Sequence, residues 1–180
     1  MRLLTKRFSR PKSEREFRDR ALFLVLSQTG LRAAEIVQLR LSQMMRSPTG
    51  ERIWPYRRKG GRTAFCAPGE EAIRAVQSYH KQMGIENPDS FFLSLPNRAR
   101  KSERTVLTTR SLQRIVNAWN VRTASGKLVH PHALRHSVGQ RIFDMAGSIA
   151  AQKILGHSSP LTTGKFYTRP YFPGAKYLKW

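Results

Sequence analysis

Between Met44 and Ala67 the chain changes its period, and this change limits the folds open to it more than any other feature. Short apolar runs around Ile53–Tyr56 and Thr63–Ala67 are bounded by two turn clusters, Ser47-Pro48-Thr49-Gly50 and Arg57-Arg58-Lys59-Gly60-Gly61-Arg62. Runs of that length between such turns read as a three-stranded antiparallel meander. On either side the pattern is helical. Ser13 and Glu16 form a capping-box pair ahead of Phe17, Leu22, Val25 and Leu26, and Gly30 supplies a left-handed stop. A second helix is expected from about Ala33 to Leu41, with Ile36 and Leu39 inward and Arg32 at its first turn.

The rest of the chain continues in helices. Pro68-Gly69 opens one that Gly84 closes, Phe91–Leu93 is a short buried extended piece, and a further helix is expected from Thr109 to Val121. Pro131 suits the first turn of the helix carrying HALRHSVGQRIFDMAG; Gly147 breaks it, a shorter helix carries Ile149–Leu155, and a last one covers Leu161–Tyr167. The expected class is therefore α+β, mostly helical, with one small three-stranded antiparallel sheet. Residues 1–12, with five basic side chains and a proline, read as an irregular lead-in or linker remnant; 13–168 form one domain; 169–180, rich in tyrosine and proline and ending in Trp180, form a tail suited to docking on a neighbouring protomer.

Charge narrows the partner. Lys and Arg total 33 against 11 Asp and Glu, a net +22, and such a chain favours polyanions because neutralising phosphates releases condensed counterions. Charge alone leaves DNA, ribosomal RNA and membrane surfaces open. A single cysteine, Cys66, excludes an internal disulfide framework and a thiolate zinc site, and no segment approaches the roughly 20 apolar residues of a membrane span, so a reducing cytoplasm is the expected compartment. Scattered acidic residues offer little to hold Mg²⁺, and the cations around any phosphate must then be side chains, arginine above all.

Singly, the chemical candidates are ambiguous. His132 and His136, four apart, could be ligands, caps or core residues, and the glutamate of a metallopeptidase HExxH motif is missing; His130-Pro131-His132 crosses a helix start and does not lie along a strand. Jointly they are not ambiguous. TGLRAAEI at 29–36, a lysine in a basic hairpin turn at Lys59, HALRH at 132–136, LGHSS at 155–159 and TTGKFY ending in Tyr167 occur in the order and surroundings of the tyrosine recombinase (integrase) family. The chain resembles that family's catalytic domain from about Ser13 to Thr168.

The resemblance implies specific roles. Arg32 and Arg135 match the two catalytic arginines, and Glu35 the acidic residue one helical turn after Arg32 that supports the active-site scaffold. Lys59 matches the lysine that protonates the leaving 5′ oxygen, His132 the donor paired with Arg135, His157 a further donor to the phosphate, and Tyr167 the nucleophile; His136 is structural. The implied activity is site-specific cutting and rejoining of duplex DNA through a 3′-phosphotyrosyl link, with no cofactor and no metal. The implied assembly is a homotetramer on DNA, with room for accessory DNA-bending proteins, acting at the nucleoid. Arg57, Arg58 and Arg62 in the hairpin and Arg98, Arg100 and Lys101 in the loop after Asn97 are candidate DNA contacts. His157 and Tyr167 stand ten apart, where many relatives have nine. The family's usual N-terminal core-binding domain would have to precede residue 13, or be absent as in short invertase-type relatives. A type IB topoisomerase-like nicking and resealing enzyme, and a non-catalytic accessory protein of the same fold, are the rival readings.

Overall fold

The computed structural model describes residues 1–58, 60–86, 88–96 and 104–156. They fall into two compact units that divide between Val138 and Gly139.

The first unit is built around α2 (Glu14–Thr29). The expected capping box is present: Ser13 Oγ accepts the Glu16 N–H, and the Glu16 carboxylate accepts the Ser13 N–H. The helix is buried beyond the single face its sequence indicates, since Ala21 through Leu26 are all enclosed. A helical stretch that is apolar all round belongs inside a core, and residues 21–26 of α2 do, with α4 (Glu70–Gln82) packed along the helix. Buried beside them are Arg18 and Asp19, paired at 2.8 Å. Burial pushes the Asp19 carboxyl above its ordinary value, against the pull of Arg18.

Residues 1–12, expected to be irregular, begin with a short helix, α1 (Arg2–Arg7). Leu4 and Phe8 are buried, and Phe8 stacks edge-on with Trp119 at 5.0 Å and lies 5.7 Å from Phe23. Arg7 donates to the Trp119 carbonyl. Two apolar side chains one turn apart, with a tryptophan to receive them, outweigh five basic neighbours.

The second helix is shorter than its sequence indicates. α3 covers only Ala33–Ile36. The chain beyond it is captured by the segment after Asp89: Leu41 N–H donates to the Asp89 carbonyl at 2.6 Å, Phe91 N–H to Leu39 at 3.2 Å, and Arg40 bridges Ser90. A 3₁₀ turn at Leu41–Gln43 then leads into β1 (Met45–Arg46), β2 (Arg52–Arg57) and β3 (Thr63–Cys66), antiparallel in the order β1-β2-β3. Trp54 opposes Cys66 and Tyr56 opposes Ala64, with Trp54, Tyr56 and Cys66 buried on the inner face. Burial there, with the Glu35 charge nearby, pushes the Cys66 thiol up to about 12, so it carries no thiolate at neutral pH.

α5 runs over Thr109–Asn117, capped by Thr108; it ends before the expected Val121 because Asn120 takes a positive φ of 51° beyond the buried Trp119. A helical run, α6 (Pro131–Leu155), starts at Pro131 as expected and is interrupted at Gly147, where φ 81° excludes most side chains. Met145 and Ile149, flanking that break in the second unit, are exposed. No described helix is long and apolar enough to cross a membrane.

His80, on α4, carries a pH dependence. It is buried, and its Nε2 lies 3.1 Å from the Phe91 carbonyl, to which the neutral ring donates. Burial holds its pKa below the ordinary histidine range, partly offset by that hydrogen bond. The unfolded chain therefore takes up this proton first as pH falls. Stability from this group is complete above about pH 6.5 and declines below it by at most about 1.4 kcal/mol per pH unit. Thermal melts should show a lower Tm at pH 5.5 than at 7.5, with a smaller difference in His80→Gln; an equal difference in both forms would remove His80 as the cause.

Candidate active site

α2 stops at Gly30 in the left-handed region, φ 62°, where its N–H still bonds Leu26. Thr29 Oγ1 donates to the Val25 carbonyl at 2.7 Å and accepts the Leu31 N–H at 3.4 Å, so the turn is pinned from within. With Leu31 buried, the following residue is delivered to the surface as the N-cap of α3: this is Arg32. Its backbone N–H donates to Glu35 Oε2 at 2.7 Å and its Nη1 to Glu35 Oε1 at 3.0 Å. The carboxylate is buried; the Arg32 side chain is 44% exposed. An acid in the first turn also suits the helix dipole.

The other half of the site comes from the start of α6. A small hairpin, with Arg122 bridging Leu128 and the turn closed at Gly126, returns the chain to Val129, whose N–H bonds Val121 at 2.7 Å. Pro131 then opens the helix, and one turn in, Arg135 points inward, 4% exposed. Its Nη1 donates to the Gly30 carbonyl at 2.6 Å, across 105 residues of sequence, and lies 3.8 Å from Glu35 Oε2. One buried carboxylate thus faces two arginines, one through each oxygen. Its negative charge offsets the repulsion that would otherwise separate them.

Both arginines line a cleft of about 440 Å³. His130 and His132 line it too, their rings parallel to within 2° and 6.4 Å apart. The His132 imidazole, at the exposed rim, has its pKa lowered by partial desolvation and then by the positive charge of Arg135, His130, His136 and Arg32. A neutral ring here offers one N–H donor and one lone pair, so it can give a hydrogen bond or take a proton. The opposite wall is one face of α5: Thr109, Gln113 and Asn117, spaced by four. Among the described residues, no acidic side chain lines the cleft. Two guanidiniums, two imidazoles and neutral hydrogen-bonding groups suit a bound phosphate.

The phage integrase family model matches residues 4–173. The chain belongs to the phage integrase family. Among its curated relatives, tyrosine recombinase XerC of Leptospira interrogans is 33% identical over 149 residues, covering 82% of this chain and 45% of the relative. XerC of Chromobacterium violaceum is 32% identical over 159 residues, 87% of this chain and 49% of the relative. The chain spans about half the length of the curated relatives it matches. The crystal structure of XerA recombinase superposes with a TM-score of 0.63 at 26% identity, over 89% of this chain and 56% of that one. XerH site-specific recombinase bound to difH substrate, in a pre-cleavage complex, gives 0.68 at 20% identity, over 97% and 50%, a likeness of fold. The α+β integrase architecture with its three-stranded sheet is thereby borne out.

In this integrase-family fold, Arg32, His132 and Arg135 line one cleft, and Glu35 is buried against the two arginines. His136 is exposed a turn beyond His132. The hairpin arginines lie outside the cleft lining. Arg57 is exposed, its backbone N–H and carbonyl both held by the Gln38 amide, at 2.9 and 3.3 Å. Arg58 lies over the Tyr56 ring at 5.8 Å and donates to its hydroxyl, and Arg62, exposed, closes the turn by accepting the Arg58 N–H at 2.9 Å. Lys59, Arg98, Arg100, Lys101, His157 and Tyr167 lie outside the described residues. The α5 face was not singled out from sequence, although its spacing of four within an expected helix carried the signal.

Proposed function

We propose that this chain is the catalytic part of a site-specific DNA recombinase. The observation that carries the reading is the sharing of one buried Glu35 by Arg32 and Arg135 at the edge of a cleft that, among the described residues, no carboxylate lines. In this reading Tyr167 attacks the scissile phosphate and passes its phenolic proton to the His132 ring, the phosphorus–O5′ bond breaks, a 3′-phosphotyrosyl bond forms, and Lys59 donates the proton that makes the 5′ hydroxyl. A 5′ hydroxyl from a second duplex reverses the step. Arg32, Arg135, His132 and His157 stabilise the charge on the nonbridging oxygens. The reaction as written is isoenergetic and calls for neither nucleotide nor metal.

The polar face of α5 and the arginines at 57, 58 and 62, with 98, 100 and Lys101, would hold the duplex. The net charge of +22 supports strong salt dependence of binding. Exchange between two sites uses four active sites, so a homotetramer on DNA is the working assembly, with the 169–180 tail docked on a neighbour, residues 13–168 as the catalytic domain, accessory DNA-bending proteins at the flanks, and the nucleoid as the place of action.

The test is exchange itself. Duplexes captured covalently from a randomised pool supply a site; two copies in one supercoiled plasmid should yield inverted or excised products. Relaxed topoisomers without recombinants would indicate a type IB topoisomerase-like enzyme, and binding without any strand cleavage an accessory protein.

A further inference from the structure

His130 is absorbed by none of the roles above, yet it lines the same cleft. Its Nδ1 accepts the backbone N–H of Ala133 at 3.3 Å, and its carbonyl accepts that of Leu134 at 3.2 Å. Nδ1 therefore presents its lone pair to that N–H, which leaves Nε2 as the ring's N–H donor. Pro131, lacking an N–H, follows it directly, so the first turn of α6 depends on this residue at two points, one through its side chain. His132 stands in that turn, with its ring parallel to that of His130.

We infer that His130 is a positioning residue, an imidazole cap that fixes the first turn of α6 and thereby sets the orientation of the His132 ring toward the reacting phosphate. The inference rests on the reading of this cleft as catalytic. Serine, threonine, asparagine and aspartate are the usual side chains at such a cap. An aspartate here would bring a negative charge against His132 and against an incoming phosphate; an imidazole accepts the same N–H without that charge. When the cap is lost, the turn frays, and His132 moves with it. Arg135 is less affected, because Gly30 and Glu35 hold it from the opposite side of the cleft. Substrate binding, which draws on many basic side chains, is left intact.

Three variants separate the parts. His130→Asn keeps an acceptor and loses the ring, His130→Phe keeps an aromatic plate and loses the acceptor, and His130→Ala loses both. The probe is a pool of nicked duplexes of randomised sequence, with single-turnover formation of covalent adduct measured at saturating protein, well below the Tm of every variant. His130→Ala and His130→Phe should cleave about tenfold more slowly than wild type, and His130→Asn within about threefold of it, all binding duplex within about twofold. The ¹⁵N resonances of the His132 ring should move in the Ala and Phe forms and stay in place in the Asn form. A cap acting only on stability would lower Tm and leave the rate and the His132 resonances unchanged, and that result overturns the inference. So does His130→Asn as slow as His130→Ala. If wild type forms no adduct, the catalytic reading of the cleft fails; if wild type reacts and His130→Ala reacts equally fast, only the positioning role fails.

Discussion

Arg135→Ala is expected to lower the rate of covalent DNA cleavage by about a hundredfold or more while leaving duplex affinity within about threefold. The guanidinium is 4% exposed, fixed by the Gly30 carbonyl at 2.6 Å and facing Glu35 at 3.8 Å, so it is oriented before any substrate arrives. A donor held in place in this way stabilises the transition state without reorganising. Binding is distributed over a chain of net charge +22 and loses only one cation. The substitution also removes one partner of a buried charge, a change that costs about 3–5 kcal/mol when the remaining charge is left alone. Here Glu35 keeps the Arg32 N–H and guanidinium, which limits the loss. Arg135→Lys keeps the charge without the planar fork. It should fold nearly as well as wild type and still cleave about tenfold more slowly, which separates chemistry from stability. Equal losses of binding and cleavage in both variants would make Arg135 a structural residue.

Much of this site is legible in the sequence because its parts are set by local chemistry. Ser13 with Glu16, Gly30 after Thr29, and Pro131 at a first turn each fix a helix boundary through one or two hydrogen bonds or one dihedral angle, and the structure places all three as expected. The change of period at the meander likewise fixes the sheet. Features set by distant partners were not legible. The length of α3 is decided by Asp89 and Phe91, and α1 exists because Trp119 and Phe23 receive Phe8. The burial of Arg135 depends on a carbonyl 105 residues away. Sequence could nominate Arg32, Glu35 and Arg135 separately. That one carboxylate faces both arginines is a fact of tertiary structure.

The largest effect is expected at Tyr167. Only a hydroxyl can form the phosphotyrosyl bond, and Tyr167→Phe removes that oxygen while keeping the ring. The neighbouring Phe166 stands nine residues after His157, at the interval common among relatives, but has no nucleophile to offer. Tyr171 is the next tyrosine along the chain. A phenol ordinarily titrates near pH 10, and loss of its proton during attack is favoured by a site rich in cations. A nicked suicide duplex, whose short 5′ fragment diffuses away after cleavage, traps the intermediate by removing the group that would reseal it. Peptide mapping of that trapped adduct tests the account most directly. Attachment of DNA through the Tyr167 side chain, with no adduct in Tyr167→Phe, is the predicted result; no adduct from the wild-type protein, or an undiminished adduct in Tyr167→Phe, would contradict it.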